Sequence, residues 1–453
     1  MRVPKLEKML GIEVYATEAS GIGGRIKVFP EDFIVEEILV DGSRADVSVK
    51  EAPLVVGEGR YLVCWLIKRN WDNFLVLREI ARKLRLSLKN IHIAGIKDAK
   101  ALTAQHISIE NAEIEQVSKV KIEDVKLIPV KYSNRRVSAF HLYGNHFKIT
   151  IRNIYHSISE IVRRMETIKG ELNSFGGIPN FFGHQRFGTV RPITHLVGRE
   201  LVRGNFENAV MIYLAKPSPY EHPKAMETRK HLLEARDYKK ALENFPRHLK
   251  YELLMLEHLV KHPDDYIGAF RRLPLKLRRL FTQAYQSYLF NKALSERIKR
   301  GIGLNEPQIG DYVIYVDEKG LPTQHARKVN TQNLKEIKKA VKNGKMRIVI
   351  PLIGYKQSTS NGVQGEIENE ILTEENIKPE NFRLKFMREA SAKGELRPAL
   401  TSLTSFSYKQ PCKDQSNPTK RMIKLSFTLQ RGAYATVMLR EIMKPTNIIK
   451  AGF

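Results

Sequence analysis

Apolar and charged positions alternate through residues 25–40, RIKVFPEDFIVEEILV, on either side of a Pro-Glu-Asp turn. That two-residue period predicts short strands joined by a tight connection. A second strand is predicted from Arg60 to Ile67. The spacing then becomes helical in WDNFLVLREIARKLRLS, with Asp72 as the cap and Phe74, Leu77, Ala81 and Leu84 on the face meant for a sheet. A brief strand over Asn90–Ala94 enters the glycine turn Gly95-Ile96-Lys97-Asp98, and strand character resumes at Gln105–Ile109. Phe147–Ile151 alternates again, and Ile158, Ile161, Met165 and Ile168 predict another amphipathic helix. The first 170 or so residues therefore read as an α+β domain.

At Gly176 the texture changes to GGIPNFFGHQRFG and then to a long, basic, mainly helical region containing LPLKLRRLFTQAYQSYLFNKALSERIKRG. Within it DYVIYVDEKGLPTQ predicts a hairpin, NLKEIKKAVKNGK a surface helix and KMRIVIPLIG a buried strand. The ending MIKLSFTLQRGAYATVMLREIMK reads as strand, glycine turn and helix, a return to the opening style that suggests both chain ends share one fold. The polar stretch Lys409–Arg421 between them reads as a flexible loop.

With 453 residues, 42% hydrophobic and 28% charged, the chain is long enough for two domains with real cores. No run approaches the roughly 18 apolar residues of a membrane span, and the first residues lack a signal-peptide pattern, so the expected place of work is the cytoplasm, with no membrane contact. Cys64 sits inside the apolar run YLVCWLI, far in sequence from Cys412, so no disulfide is expected. The 13 histidines form no ligand motif, and no zinc or other metal is expected. The charge adds most: 76 Lys and Arg against 49 Asp and Glu give +27, which favours a polyanionic partner, nucleic acid first. A generally basic surface rich in Lys, Arg and Glu is the plainer explanation. Arg135-Arg136, Arg271-Arg272 and Lys276–Arg279 are candidate pieces of an RNA track, although any one such cluster is more often a solvated helix or loop face.

The sharpest local feature is AGIKDAKALTAQHISI, which presents Asp98 just after a glycine turn and between two apolar strands. Lys97 and Lys100 flank it and are expected to favour its ionised form, as a nucleophile or base requires. A Lys-Asp pair in a loop is otherwise most often a solvated turn. GIGG at Gly21–Gly24 has no helix-opening context and is not a dinucleotide fingerprint.

AGIKDAKALTAQ resembles the signature of the TruD family of pseudouridine synthases. FPEDFIVEE, GNHFKI, GGIPNFFGHQRFG and RGAYATVMLRE are similar to further family blocks and follow in the family's order across almost the whole chain. The resemblance implies a pseudouridine-synthase-type catalytic domain with a mixed or antiparallel sheet and helices, interrupted by an inserted α/β domain. The expected division is 1–176 and 401–453 for the catalytic domain and 177–400 for the insertion. It implies Asp98 as the catalytic residue, with Lys27, Phe33, Asn145, Phe147 and Arg186 as substrate-binding residues: Lys27 pairing with the carboxylate, the two aromatics against uracil, Asn145 on the uracil edge or the carboxylate, and Arg186 with backbone amides on RNA phosphates. Apart from the resemblance, an exposed strand lysine, core phenylalanines and a turn asparagine are the ordinary readings of those residues. Gln286, Tyr288 and Phe290 match a helix of the insertion, where helical spacing makes Phe290 core. The implied substrate is transfer RNA, at the D-arm uridine 13 or at an anticodon-loop uridine in a precursor. Isomerisation neither gains nor loses atoms, so no cofactor and no obligatory protein partner are implied. A non-catalytic RNA-binding protein or chaperone would suit the charge and aromatics equally, but would gain nothing from a carboxylate beside phosphates. A glycosylase would share the flipped-base geometry but release free base.

Overall fold

The computed structural model describes residues 2–49 and 53–453. Its first half is dominated by β1 (Phe33–Leu39), β2 (Tyr61–Arg69), β3 (Ile91–Ile93), β4 (Leu102–Glu110), β5 (Val125–Ser133) and β6 (Leu142–Ile154), all rich in β-branched and aromatic residues. After β7 (Ile178–Pro179) comes a largely helical stretch, followed by β8 (Tyr312–Val316), β9 (Pro322–Lys328), β10 (Met346–Leu352), β11 (Glu395–Pro398) and β12 (Leu400–Thr401). The chain closes with β13 (Thr404–Tyr408), β14 (Cys412–Asp414), β15 (Asn417–Gln430) and the helix Ala435–Met443.

The largest sheet runs β13-β15-β6-β1-β4-β2-β5, with β14 on β15 and β3 on β4. β1 and β4 are parallel and the other pairs antiparallel, so the sheet is mixed and the architecture α+β, as expected. C-terminal β15 lies against β6 from Arg421↔Ile154 to Gln430↔Gly144, bringing the two ends of the chain into one sheet. Between them, β7 and β12 pair at Ile178↔Thr401 and Pro179↔Leu400, so the chain departs and returns at adjacent points. The segment in between builds its own antiparallel sheet, β11-β10-β8-β9, beside the long helix Leu275–Lys299.

One face of the large sheet carries two separate apolar layers. Val76, Leu77, Ile80 and Ala81 of the helix Asn73–Leu84 cluster with Leu62, Cys64, Leu66, Ile107 and Ile109. Ile161, Met165, Ile168 and Leu172 of the helix Ile158–Phe175, with Val437 and Leu439, cluster with Phe33, Phe147, Ile149 and Phe427. β1 contributes Phe33 and Val35 to the second layer, and beside it β4 carries the buried polar residues Thr103 and Gln105.

Several expectations are corrected. Residues 25–29 form no strand: Arg25 makes a single bridge to Arg152, Pro30–Asp32 is a 3-10 turn, and Lys27 takes a left-handed φ of 56°. On the helix Asn73–Leu84 the buried stripe is shifted, leaving Phe74 54% exposed, because the Asp72 cap, which accepts from Phe74 N and Leu75 N, holds the first turn at the surface. Lys409–Arg421 is not a loose loop. Its centre is the β14–β15 hairpin, fixed by buried Asp414, which accepts from Arg152 Nη1 at 2.9 Å and from Asn153 N at 2.9 Å. Those partners lie some 260 residues away, so no local pattern announces them.

Candidate active site

The glycine turn before β4 leaves Asp98 at the head of that strand with its side chain 35% exposed. Lys27 Nζ reaches Asp98 Oδ1 at 3.2 Å and simultaneously sits 4.3 Å above the centre of the Phe33 ring. A strand lysine would alternate out of this position. The left-handed φ of Lys27, which costs a non-glycine residue on the order of 1 kcal/mol or more, turns it inward. Beneath the turn, buried Lys68 donates to the Asp98 backbone carbonyl at 2.7 Å and to Trp71 O at 2.8 Å, holding the turn onto β2. Burial pushes the Lys68 ammonium down to about 8, against the opposing pull of Asp98 and Asp72.

The predicted role of Lys97 is corrected. Its ammonium points into the sheet and pairs with buried Glu37, which also accepts from His106 N at 2.9 Å. Burial alone would raise the Glu37 carboxyl, but Lys97 and His106 hold it below the usual carboxylate range. The cation beside the Asp98 carboxylate is thus Lys27, contributed from 71 positions upstream, while Lys100 is exposed at the surface.

Register assembles the rest. Phe427, Phe147, Val35, Thr103 and Lys68 form one row across β15, β6, β1, β4 and β2. One step along, Leu429, Asn145 and Glu37 share a row, and Gln105 faces Leu66. Phe147 stacks on Phe427 at 5.3 Å between centroids and meets the edge of Phe33 at 6.2 Å. All three rings are buried, and Phe147 is 6% exposed. On the same face Thr103 Oγ1, Gln105 Oε1 and Asn145 Oδ1 are buried without a hydrogen-bond partner among the described residues. Each such group costs about 1–3 kcal/mol unless a water or a ligand meets it, and these three lie in adjacent rows of one face.

Lys27, Phe33, Phe147 and Asp98 are therefore gathered in one place, with Asn145 a row away. Arg186 belongs elsewhere. Its guanidinium donates to Ser287 Oγ at 3.1 Å and lies 5.6 Å from the centre of Phe182, within the segment between β7 and β12. In that segment Gln286 donates to Ile353 O, Tyr288 to Glu375, and Phe290 is core as expected. Of the basic clusters, Arg271, Arg278 and Arg279 are partly occupied by Glu389, through its carboxylate or its carbonyl. Sequence reasoning missed Lys68, Glu37 and Phe427, and placed Thr103 and Gln105 in the signature block AGIKDAKALTAQ without giving them a role of their own. Lys68 had a signal, as a lysine at an inward position of an apolar strand, and Phe427 alternates with Leu425 and Leu429.

A family model described as tRNA pseudouridine synthase D (TruD) matches residues 9–442. The chain belongs to this family. "Probable tRNA pseudouridine synthase D" of Methanosarcina barkeri is 39% identical over 445 residues, 98% of each chain. The corresponding protein of Thermococcus onnurineus is 38% identical over 436 residues, covering 95% of this chain and 97% of its own. A crystal structure of a TruD protein from Methanosarcina mazei superposes with a TM-score of 0.83 at 39% identity, over 98% of this chain and 99% of that one. As a member of the TruD family the chain is an isomerase of the pseudouridine synthase class, and the α+β fold agrees with its solved relative. No helix among the described residues is long and apolar enough to cross a membrane.

Proposed function

We propose that this TruD-family protein converts one uridine of transfer RNA to pseudouridine, with Asp98 as the catalytic carboxylate and the D-arm uridine 13 as the substrate position. The reaction breaks the C1′–N1 bond, turns the uracil and joins C5 to C1′, with the C5 hydrogen leaving as N1 gains one. Asp98 acts on the ribose, by adding to C1′ or by taking a ribose proton, and either route needs the nucleotide extruded to within about 3 Å of the carboxylate. Lys27 fixes the carboxylate and balances its charge. Phe33 and Phe147 line the apolar side of the base site, and Asn145 supplies an acceptor to an N–H of uracil. Arg186 meets the RNA backbone. Residues 1–176 and 401–453 act as the catalytic domain and 177–400 as an insertion that helps hold the RNA. The protein works in the cytoplasm, without cofactor or obligatory protein partner.

The observation that carries this reading is the partly exposed Asp98 paired with Lys27 over an aromatic ring, beside buried acceptors that have no hydrogen-bond partner among the described residues. A pure RNA binder would have no use for a carboxylate in that position. The test is to incubate an unmodified transfer RNA pool with the protein and map pseudouridine at nucleotide resolution. Asp98→Asn keeps the shape and removes the charge, and should lower turnover by at least about a hundredfold while RNA binding persists. Appreciable turnover by that variant would remove Asp98 from the centre of the mechanism, and modification confined to another uridine would replace the D-arm assignment.

A further inference from the structure

Deeply buried arginines in this protein are neutralised by carboxylates. Arg229 pairs with Glu221 and Glu252, Arg297 with Asp311, and Arg440 with Glu7 and Glu441. Arg186 and Arg397, which are only partly buried, have no such partner among the described residues, a condition they share with Arg347. Arg397 donates to Asn180 O at 3.0 Å, Asn180 Oδ1 at 2.7 Å and Gly432 O at 2.8 Å, and Arg186 to Ser287 Oγ and Gln283 Oε1. Among the described residues neither has a carboxylate within 4.0 Å. Burial pushes the Arg397 guanidinium down to about 10 and lowers that of Arg186, against the opposing pull of Tyr434 and Glu395.

Both line one cavity of about 560 Å3 between the loop after β7, the helix Leu275–Lys299 and the segment leading into β11. The Phe182 ring forms its wall, with the Arg397 guanidinium 3.9 Å from the ring centre. Arg279, Arg388 and Lys393 add positive charge, against Glu389 and Glu395; Glu389 is already engaged by Arg278. The cavity is open to the surface and close to the catalytic face. Arg397 binds the carbonyl of Gly432, three residues beyond Leu429, whose register partner is Asn145.

We infer that this cavity is a phosphate subsite for an unpaired stretch of the RNA substrate, with Arg186 and Arg397 facing a backbone phosphate and Arg279 and Arg388 at its mouth. The ligand chemistry follows from the walls: two guanidiniums without a carboxylate within 4.0 Å suit a phosphodiester, which Arg186 and the Nη1 of Arg397, whose Nε and Nη2 are spent on Asn180 and Gly432, can meet with N–H donors, and a cavity of about 560 Å3 is too small to admit a duplex. The site is separate from the reaction centre and serves to place the extruded uridine by holding its neighbour strand.

This inference rests on the transfer RNA reading, and its test separates the two. Binding of an unmodified transfer RNA transcript is measured against salt in the Asp98→Asn background, so that no result depends on turnover. Adding Arg186→Gln, and separately Arg279→Gln, should weaken binding several-fold and make the log Kd against log salt slope shallower by about 0.7, the value for one single-strand phosphate. Melting temperature is followed in parallel on both variants, so that a loss through folding, including loss of the Arg279 bond to Glu389 O, is read separately from a loss of binding. Slopes unchanged in both variants, with tight salt-dependent binding retained, would overturn the subsite and leave the substrate reading intact. No salt-dependent transfer RNA binding in the parent would overturn both.

Discussion

Phe147 sits where a packing role and a substrate role make different demands. Its ring is 6% exposed, stacked on Phe427 at 5.3 Å and edge-on to Phe33 at 6.2 Å. Phe147→Ala removes the ring from a closed core, which costs about 3–5 kcal/mol for a buried aromatic, including about 0.5–1.5 kcal/mol for each aromatic pair. For a chain of this size each kcal/mol moves the melting temperature by at most about 2–4 °C, so the Ala variant should melt several degrees early whatever its role. The informative change is Phe147→Leu, which refills most of the volume and restores most of the stability, but offers no π-face. If the ring also lies against the extruded uracil, its loss costs roughly 1–3 kcal/mol in the flipped state, or about tenfold to over a hundredfold in rate. The assay is single-turnover pseudouridine formation, run with melting temperature and transfer RNA affinity on both variants. Phe147→Leu should show near-parent melting and affinity with turnover still at least about tenfold down. Full recovery of all three would refute the substrate role and make Phe147 purely a core residue.

Lys27→Met keeps the aliphatic stem but removes both the ion pair to Asp98 and the ammonium over Phe33; turnover should fall about tenfold or more, with a small change in melting, and parent-like rates would show the pair to be incidental. Burial pushes Lys68 down to about 8, so turnover should decline as pH rises through 8 and the ammonium that holds the Asp98 turn is lost; Lys68→Met should be slower throughout and lack that decline. Stability should move the other way: between about pH 8 and the ordinary lysine value near 10.5 the folded state binds fewer protons than the unfolded, so this group alone makes the fold more stable as pH rises, and a contribution of opposite sign in the parent-minus-variant difference would contradict the assignment. Turnover should persist after dialysis against a chelator and without added nucleotide, and activity that is lost and then restored by a divalent ion would refute the cofactor-free chemistry.

The sequence by itself determined the α+β class, most strands and helices, the placing of Asp98 on a turn between two strands, and the likeness of the two chain ends. Alternation and helical spacing are local properties, written within a few residues of each other, and they survive tertiary packing wherever one face is buried. What they left open was every relation between distant segments. Local spacing favours Lys97 beside Asp98 and the family resemblance favours Lys27, and the left-handed backbone at Lys27, with buried Glu37 waiting for Lys97, puts Lys27 on the carboxylate. The hairpin within Lys409–Arg421 looks like a polar loop until Arg152 and Asn153 arrive to satisfy Asp414. Phe427, Thr103, Gln105 and Lys68 become one surface through strand register, and Arg186 parts company with the catalytic group because β7 carries it toward the long helix instead. Charge pairing and burial depend on who arrives from elsewhere in the chain, and that is information a single local pattern does not hold.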